Sequence, residues 1–577
     1  HLYSLLKRIW TTLGILVPTH LYSMRNLSHT FGRFFVYNLF FIFILSNCTP
    51  AEEFDVLLTN FELHSPTAIP GKLGERPQFS IGIKDGEIAS IIDHSGGQEY
   101  PVAKSTLSLN GQHLYPGFID AHGHLFGYAR TLSTVNLIGA ASKQECIERI
   151  KTYIRLHPNE EWIIGRGWDQ NDWTEQRYPS ANDLAAFSEK YVYLTRIDGH
   201  AAWVNQPVLD AFSISSETKV DGGQIMDGIL IDNAETLVTL PKLTNRYWRT
   251  ALLQAQDSLV KYGLTAMTDA GLSTHQILLL DSLQEEGSFK LFVNAMISNH
   301  EEDLQYFENH GPIDKPLLRV KSVKAYLDGA LGSRGALLRD PYHDLPDHYG
   351  LPLLSPEQLD VLRERCVKNG WQLCVHAIGD SAHHVLLESF NELDTIADLR
   401  FRVEHAQIMT PEDSAFYAHP NIIASVQPTH ATSDMYWAED RLGPHRIHHA
   451  YSYRRIFNAA HERVAFGTDF PIEHIDPLAT FFAATTRQDK NHWPEHGFLP
   501  EQAISPGMAI GAMTREAAYS AFGEDTYGSI AIGQKANFTL LNTNLWSEDA
   551  ALRERTQVVK TIVGGQVLYD SNSNKGR

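Results

Sequence analysis

The chain has 577 residues with ordinary globular content, 43% hydrophobic and 20% charged. Its formal net charge of -20 comes without a long acidic run; this favours solubility and argues against a nucleic-acid partner, because phosphate binding needs basic patches. The four cysteines, Cys48, Cys146, Cys366 and Cys374, show no Cys-x-x-Cys spacing, which excludes a zinc-finger or redox motif and makes a disulfide framework an unlikely basis for the fold.

Residues 34–45 read FFVYNLFFIFIL, after Arg25 and Arg33. The run is too short to span a membrane as a helix and matches the charged and apolar regions of a secretory signal. It ends in Leu45-Ser46-Asn47-Cys48, which resembles a bacterial lipobox with Cys48 as the lipidated residue; Asn47 departs from the small residue usual there, and a simple secretory signal or an uncleaved anchor is the alternative reading. The expected location is the bacterial cell envelope, anchored and facing the periplasm, or exported. Met24 is the first methionine, so residues 1–23 read as an over-extended start, and residues 1–50 as a targeting segment.

Short alternating segments fill 54–115, and Lys84-Asp85-Gly86-Glu87 supplies a hairpin turn. Similar segments occupy 528–541 and 558–570, with a second turn at Gly564-Gly565. Together 51–115 and 525–577 predict one small β-sandwich built from both termini. Between them lies an expected barrel domain, 116–524, in which apolar strand-like runs alternate with helical stretches. Eight strand candidates fall at 115–122, 264–270, 290–297, 319–328, 371–377, 401–408, 422–428 and 464–470. Eight such units fit a (β/α)8 TIM-type barrel, whose chemistry sits at the C-terminal ends of the strands. The gap between the first two is far longer than a usual βα connection. It carries strand-like runs of its own, EWIIGRGWD and YVYLTRIDGH, and predicts an inserted α/β subdomain over 128–260.

Metal-type residues end four of these strands. The first ends in Asp120-Ala121-His122-Gly123-His124, the fifth at His376, the sixth at His405 and the eighth at Asp469; the fourth carries Lys324 and Asp328. His122 and His124, one residue apart, project from the same side of a strand. Taken singly, His376 or His405 reads as a core histidine bonded to a carbonyl, and Asp469 as a helix cap before Pro471. Convergence at one end of a barrel outweighs those readings, because a metal resolves the burial cost of all of them together. Lys321, three residues from Lys324, faces the opposite side of the strand.

The motifs LYPGFIDAHGH (114–124), GRGWDQNDW (165–173), DGHAAWVN (198–205), YGLTAMTDAG (262–271), LDGALGSRGALL (327–338), HAIGD (376–380), VEHAQ (403–407) and FGTDFP (466–471) run through the chain in order. This set resembles the amidohydrolase superfamily, and within it the amidohydrolase-3 (YtcJ-like) branch that includes N-substituted formamide deformylases. The resemblance implies one or two divalent ions, zinc above all, with His122 and His124 on one and His376 and His405 on a second. It places Asp469 at the metal as the catalytic proton shuttle and Lys324 where many members carry a carbamylated, metal-bridging lysine. The expected reaction is hydrolysis of a non-peptide C–N bond, with ester, lactone or deaminating hydrolysis compatible with the same site and a non-catalytic binding protein the reading from another class. Trp168, Asp169 and His200 from the insert, with Asp328 and Arg334 after the fourth strand, are candidate substrate-binding residues. A small molecule is the expected partner, a homodimer is compatible, and membrane contact is expected only through Cys48.

Overall fold

The computed structural model describes residues 54–64, 79–196, 201–220, 223–241, 243–547, 551 and 555–573. The targeting segment with Cys48, and His200 of the insert, lie outside the described residues. No helix among the described residues is long and apolar enough to cross a membrane.

Eight strands pair in parallel, each from the second onward with its predecessor in the chain: β1 (Phe118–Gly123), β2 (Leu264–Leu272), β3 (Phe292–Ser298), β4 (Leu318–Tyr326), β5 (Gln372–Ala377), β6 (Phe401–His405), β7 (Ile422–Val426) and β8 (Val464–Phe466). Each overlaps one of the eight runs read from the sequence. Parallel strands flanked by helices are buried on both faces, which is why these runs are apolar nearly throughout; β1 and β7 have no exposed position. The strand ends differ from the sequence reading by a few residues: β1 to β3 run one or two residues further, and β4, β6, β7 and β8 stop earlier.

Local signals set the helices. Ser273 and Gln276 form a capping box ahead of Thr274–Glu285, and Ser355 and Gln358 another ahead of Pro356–Asn369. In each, hydroxyl and amide satisfy the first free N–H groups reciprocally. The second helix opens on Pro356 and stops at Gly370, whose left-handed backbone (φ 66°) suits glycine.

The chain segments before and after the barrel form one seven-stranded sheet, in the order 566–570, 558–563, 538–541, 103–116, 54–63, 79–84, 87–93. Asp85-Gly86 and Gly564-Gly565 turn its hairpins with positive φ at both central residues, as the twist of two-residue hairpins demands. The sheet is clamped to the barrel through Thr539, whose hydroxyl donates to the Gly263 carbonyl (2.6 Å) and accepts from the Phe118 N–H (3.1 Å).

The insert leaves the barrel after the helix Leu125–Leu132 and folds around a six-stranded mixed sheet. Strands 135–136, 162–168 and 191–196 run parallel, and 201–204, 229–232 and 223–226 add antiparallel. Trp168, Trp173 and Trp203 pack edge to face or tilted at its centre.

The seam between β8 and β1 is closed by backbone at the mouth. The Asp469 N–H donates to the His122 carbonyl (2.7 Å) and the His124 N–H to the Phe470 carbonyl (2.8 Å). This approach needs Gly467, because a Cβ there would lie 2.4 Å from the His122 nitrogen. Gly467→Ala is therefore expected to force the seam apart and to destabilise the protein by about 1–3 kcal/mol. Chemical denaturation measures the loss; an unchanged midpoint would mean that the seam tolerates the extra methyl.

Candidate metal centre

β1 delivers His122 and His124 to the mouth, and β8 delivers Asp469 opposite them. His124 Nε2 lies 3.0 Å from Asp469 Oδ1, and His122 Nε2 lies 3.5 Å from the same oxygen. His405, at the end of β6, sets its ring 4.8 Å from that of His122 and 4.4 Å from that of His376 at the end of β5. Lys324 of β4 brings Nζ to 3.4 Å from His122 Nε2. The six residues expected to ligate metal thus meet at one end of the barrel. Lys321 instead stacks on Phe522, 4.2 Å from the ring centre.

The supporting hydrogen bonds decide what these atoms can do. Glu404 accepts from His122 Nδ1 (2.5 Å), so His122 presents the lone pair of Nε2 to the cluster. His405 Nδ1 donates to Gln427 Oε1 (2.8 Å), which leaves its Nε2 in the same state. Burial pushes His122 down to about 4 and His376 down to about 3, and drives His405 well below the usual imidazole range. Lys324 adds to each of these shifts. Neutral imidazole is the form that binds metal. Burial alone would raise Asp469, yet His124, His430 and the neighbouring imidazoles hold it well below the usual carboxylate range.

His122 Nε2 and Asp469 Oδ1 are therefore two acceptors facing one another in a buried space. Asp469 Oδ1 and His376 Nε2 make no hydrogen bond among the described residues. Buried acceptors left this way are costly unless a cation lies between them. The donor set, four imidazoles with a carboxylate, fits a divalent transition metal. Two overlapping triads, His122–His124–Asp469 and His405–His430–Asp469, each bring one ligand atom per residue within 4.8 Å of the others.

Backbone strain marks the same place. His405 (φ 72°) and Asp469 (φ 58°) take left-handed conformations without being glycine. Such residues cost about 1–3 kcal/mol each and gather at functional sites.

A model of the Amidohydrolase family matches residues 105–569. The chain belongs to that family. Among its relatives, Protein LONG AFTER FAR-RED 3 of Arabidopsis thaliana is 31% identical over 519 residues, covering 85% of this chain and 88% of the relative. Putative amidohydrolase YtcJ of Bacillus subtilis (strain 168) is 29% identical over 517 residues, 86% and 97% of the two chains. N-substituted formamide deformylase of Arthrobacter pascens is 25% identical over 495 residues, 80% and 90%. Of solved structures, an uncharacterized metal-dependent hydrolase from Pyrococcus horikoshii OT3 superposes with a TM-score of 0.70 at 25% identity, covering 85% of this chain and 98% of that one.

In this amidohydrolase several side chains matter that the sequence reading passed over. Arg402, fully buried, donates to both Glu404 oxygens (2.6 and 3.1 Å), to the Ala121 carbonyl (2.7 Å) and to Ser425 Oγ (2.8 Å). Asp120 receives the Thr468 hydroxyl (2.7 Å) and the His122 N–H (3.0 Å), tying β8 to β1. Asp269, at the end of β2, accepts from the Leu125 N–H (2.8 Å) and caps the helix behind His124. His430 lies between Asp469 Oδ2 (3.5 Å) and Glu473 Oε1 (3.3 Å). Burial opposes its protonation, but the two carboxylates outweigh burial and push it up to about 10. Its signal was present in Gln427-Pro428-Thr429-His430, directly after strand seven.

The structure engages four candidates for substrate contact in other interactions. Trp168 is wholly buried in the insert and donates from Nε1 to the Leu194 carbonyl (2.7 Å), so packing occupies it. Asp328 is buried and accepts from the N–H groups of Ile378 (3.0 Å), Gly379 (2.8 Å) and Leu337 (2.8 Å); it clasps the loop after β4 to the exit of β5. Arg334 forks onto Asp344 (3.1 and 2.8 Å). Asp169 pairs with Arg196 at 2.6 Å, within the insert.

Glu404→Gln removes the charge that holds both Arg402 and the His122 tautomer. It is expected to weaken metal binding by about 10–100-fold and to lower stability by about 3–5 kcal/mol, since Arg402 is left as an unpaired buried charge. Metal titration and denaturation read the two effects separately, and unchanged metal affinity would remove Glu404 from the orientation of His122.

Proposed function

We propose that this amidohydrolase cleaves a non-peptide amide C–N bond in a small molecule, using zinc held by His122, His124, His376, His405 and Asp469. The observation that carries the reading is the approach of His122 Nε2 and His124 Nε2 to Asp469 Oδ1 at 3.5 and 3.0 Å, beside the buried rings of His376 and His405. The likeness to a relative named as a formamide deformylase favours amides over other substrates.

When bound, a divalent ion of this kind lowers the pKa of a water toward about 7 and polarises a substrate carbonyl. The chain's own residues do the rest. Asp469, kept ionised by His124 and His430, accepts the proton of the attacking water at its carboxylate and returns it to the departing nitrogen. His430 holds the far oxygen of Asp469 from the short helix Pro428–Asp434, and Glu473 holds His430 in turn. Glu404 and Gln427 fix the rings of His122 and His405 against rotation. Tyr326, partly exposed at the end of β4, sets its ring 4.7 Å from Lys324 Nζ and 5.6 Å from the His376 ring, where it can line the substrate side.

Burial pulls Lys324 below the ordinary amine range, against the nearby Glu404 and Asp469 carboxylates. That shift favours the unprotonated amine, whose nitrogen adds CO2 with release of one proton, and the proposal includes a carbamylated Lys324 that places an anionic oxygen beside His122. Native intact-mass measurement of the freshly isolated protein at neutral pH should show one CO2 that the Lys324→Ala protein lacks, and Lys324→Ala should recover metal binding when short carboxylic acids are added. A mass unchanged under bicarbonate would leave the lysine unmodified.

Asp469→Asn should reduce turnover of an amide substrate by about a hundredfold or more, as expected for loss of general acid–base catalysis. Amides, esters, lactones and amino-heterocycles assayed side by side identify the bond, and a variant with full activity would remove Asp469 from proton transfer. Absence of turnover on every class from protein carrying stoichiometric metal would favour a binding role.

A further inference from the structure

The sheet built from the two chain ends holds a separate group of metal-type side chains. Glu62 lies in the strand Phe54–Leu63 and His64 follows two residues later, so both project from one face. The parallel neighbour Ala103–Pro116 places His113 directly opposite Glu62 in register. His64 Nε2 and His113 Nδ1 are 2.9 Å apart, and His113 Nδ1 is 3.3 Å from Glu62 Oε2. One ligand atom from each of the three lies within 4.8 Å of the others, and all three residues are half-buried.

The group is held rigidly. The His64 ring stacks on Tyr115 with centroids 4.7 Å apart and planes 11° from parallel, and the His64 N–H donates to the Leu114 carbonyl (2.8 Å). Tyr115 is itself fixed, because its hydroxyl donates to Asn544 Oδ1 (3.4 Å) and accepts from the Leu545 N–H (2.8 Å). Burial, with His113 alongside, pushes His64 down to about 4, so its imidazole is neutral near pH 7.

We propose that Glu62, His64 and His113 form a second metal site, taking a divalent first-row transition ion of the zinc type and stapling strand Phe54–Leu63 to strand Ala103–Pro116. Two imidazoles with one carboxylate suit such an ion and are wrong for calcium or magnesium, which take oxygen ligands. Tetrahedral ligation with bonds of about 2.0–2.1 Å sets neighbouring ligand atoms about 3.3 Å apart. The His113–Glu62 distance already has this value, and the two imidazoles need to part by a few tenths of an ångström.

The place of the site argues for a structural role. Strand Ala103–Pro116 leads into the N-terminal end of β1, whereas the barrel cluster lies at its C-terminal end. The metal would join two strands whose contacts with each other cross the long sequence gap from Leu63 to Ala103. It needs none of the barrel chemistry, so the two readings stand or fall separately.

The test uses the full chain, stripped with a chelator and reloaded with zinc alone, with bound zinc counted by elemental analysis. The His64→Asn/His113→Asn protein should hold one equivalent fewer than the unsubstituted chain and lose part of the rise in melting temperature that zinc brings. A His122→Asn/His124→Asn protein should keep the equivalent of the terminal sheet. Glu62→Gln retains both imidazoles and should weaken zinc binding at this site by roughly tenfold or more, as a check should the double variant fold poorly. Equal zinc content and affinity in the unsubstituted and Glu62→Gln proteins would overturn the proposal, as would a His122→Asn/His124→Asn protein that binds no zinc.

Discussion

The barrel is organised around one buried charge pair, Arg402 with Glu404. Both side chains are wholly excluded from solvent, and each comes from β6 two residues apart, on the same face of the strand. Removing such charges from water is expensive, and their attraction offsets the cost only when every remaining donor and acceptor is used. Here the accounting is nearly complete. Arg402 spends its other hydrogen bonds on Ala121 of β1, Ser425 of β7 and the Ser520 hydroxyl, so that β1, β6 and β7 are bound across the barrel interior. The Glu404 oxygen Oε2 takes the His122 N–H as well as one from Arg402. The same contact that satisfies a buried carboxylate therefore fixes the tautomer of a metal-type histidine. Stability and chemistry share one interaction, and a change at either residue acts on both.

From that pair outward the site is assembled by strand ends. A parallel barrel brings the ends of non-adjacent strands to one mouth, so His122, His376, His405 and Asp469 meet although the chain separates the first from the last by most of the barrel. The strained backbone at His405 and Asp469 aims side chains that an ordinary strand end would send elsewhere. The cost is carried by the packed strands behind them. The loop after β8 then closes the seam at the same point, because Gly467 lets the backbone approach His122.

The eight barrel strands were legible because each is a short apolar run between capped helices, and period and length carry that information locally. The ligand-type residues were legible for the same reason, since strand ends can be read from the chain. Glu404 and Arg402 were not, although both stand in plain view beside His405. Inside an apolar strand they look like an unexplained pair of charges, and only the neighbouring strands reveal that His122 and Ala121 complete them. Trp168 and Asp328 failed in the opposite direction. Their motif context marked them as notable, but the reason is internal: one is core, and the other gathers three backbone N–H groups. A motif records that a residue is constrained without recording whether packing or chemistry constrains it.

His430 shows where that distinction is finest. It stands on a short helix after β7, outside any strand, and its partner Glu473 comes from the loop after β8. Neither residue lies in a periodic pattern, so neither could be placed by period alone. Their meeting depends on the closure of the barrel, which sets the loops after β7 and β8 side by side. The carboxylate of Asp469 is thus flanked by His122 and His124 on one oxygen and by His430 on the other. The first side holds the Nε2 lone pair of His122, and the second a proton held between two carboxylates. The two oxygens of one carboxylate thus meet different neighbours, and that division is a property of the closed barrel rather than of any single segment of the sequence.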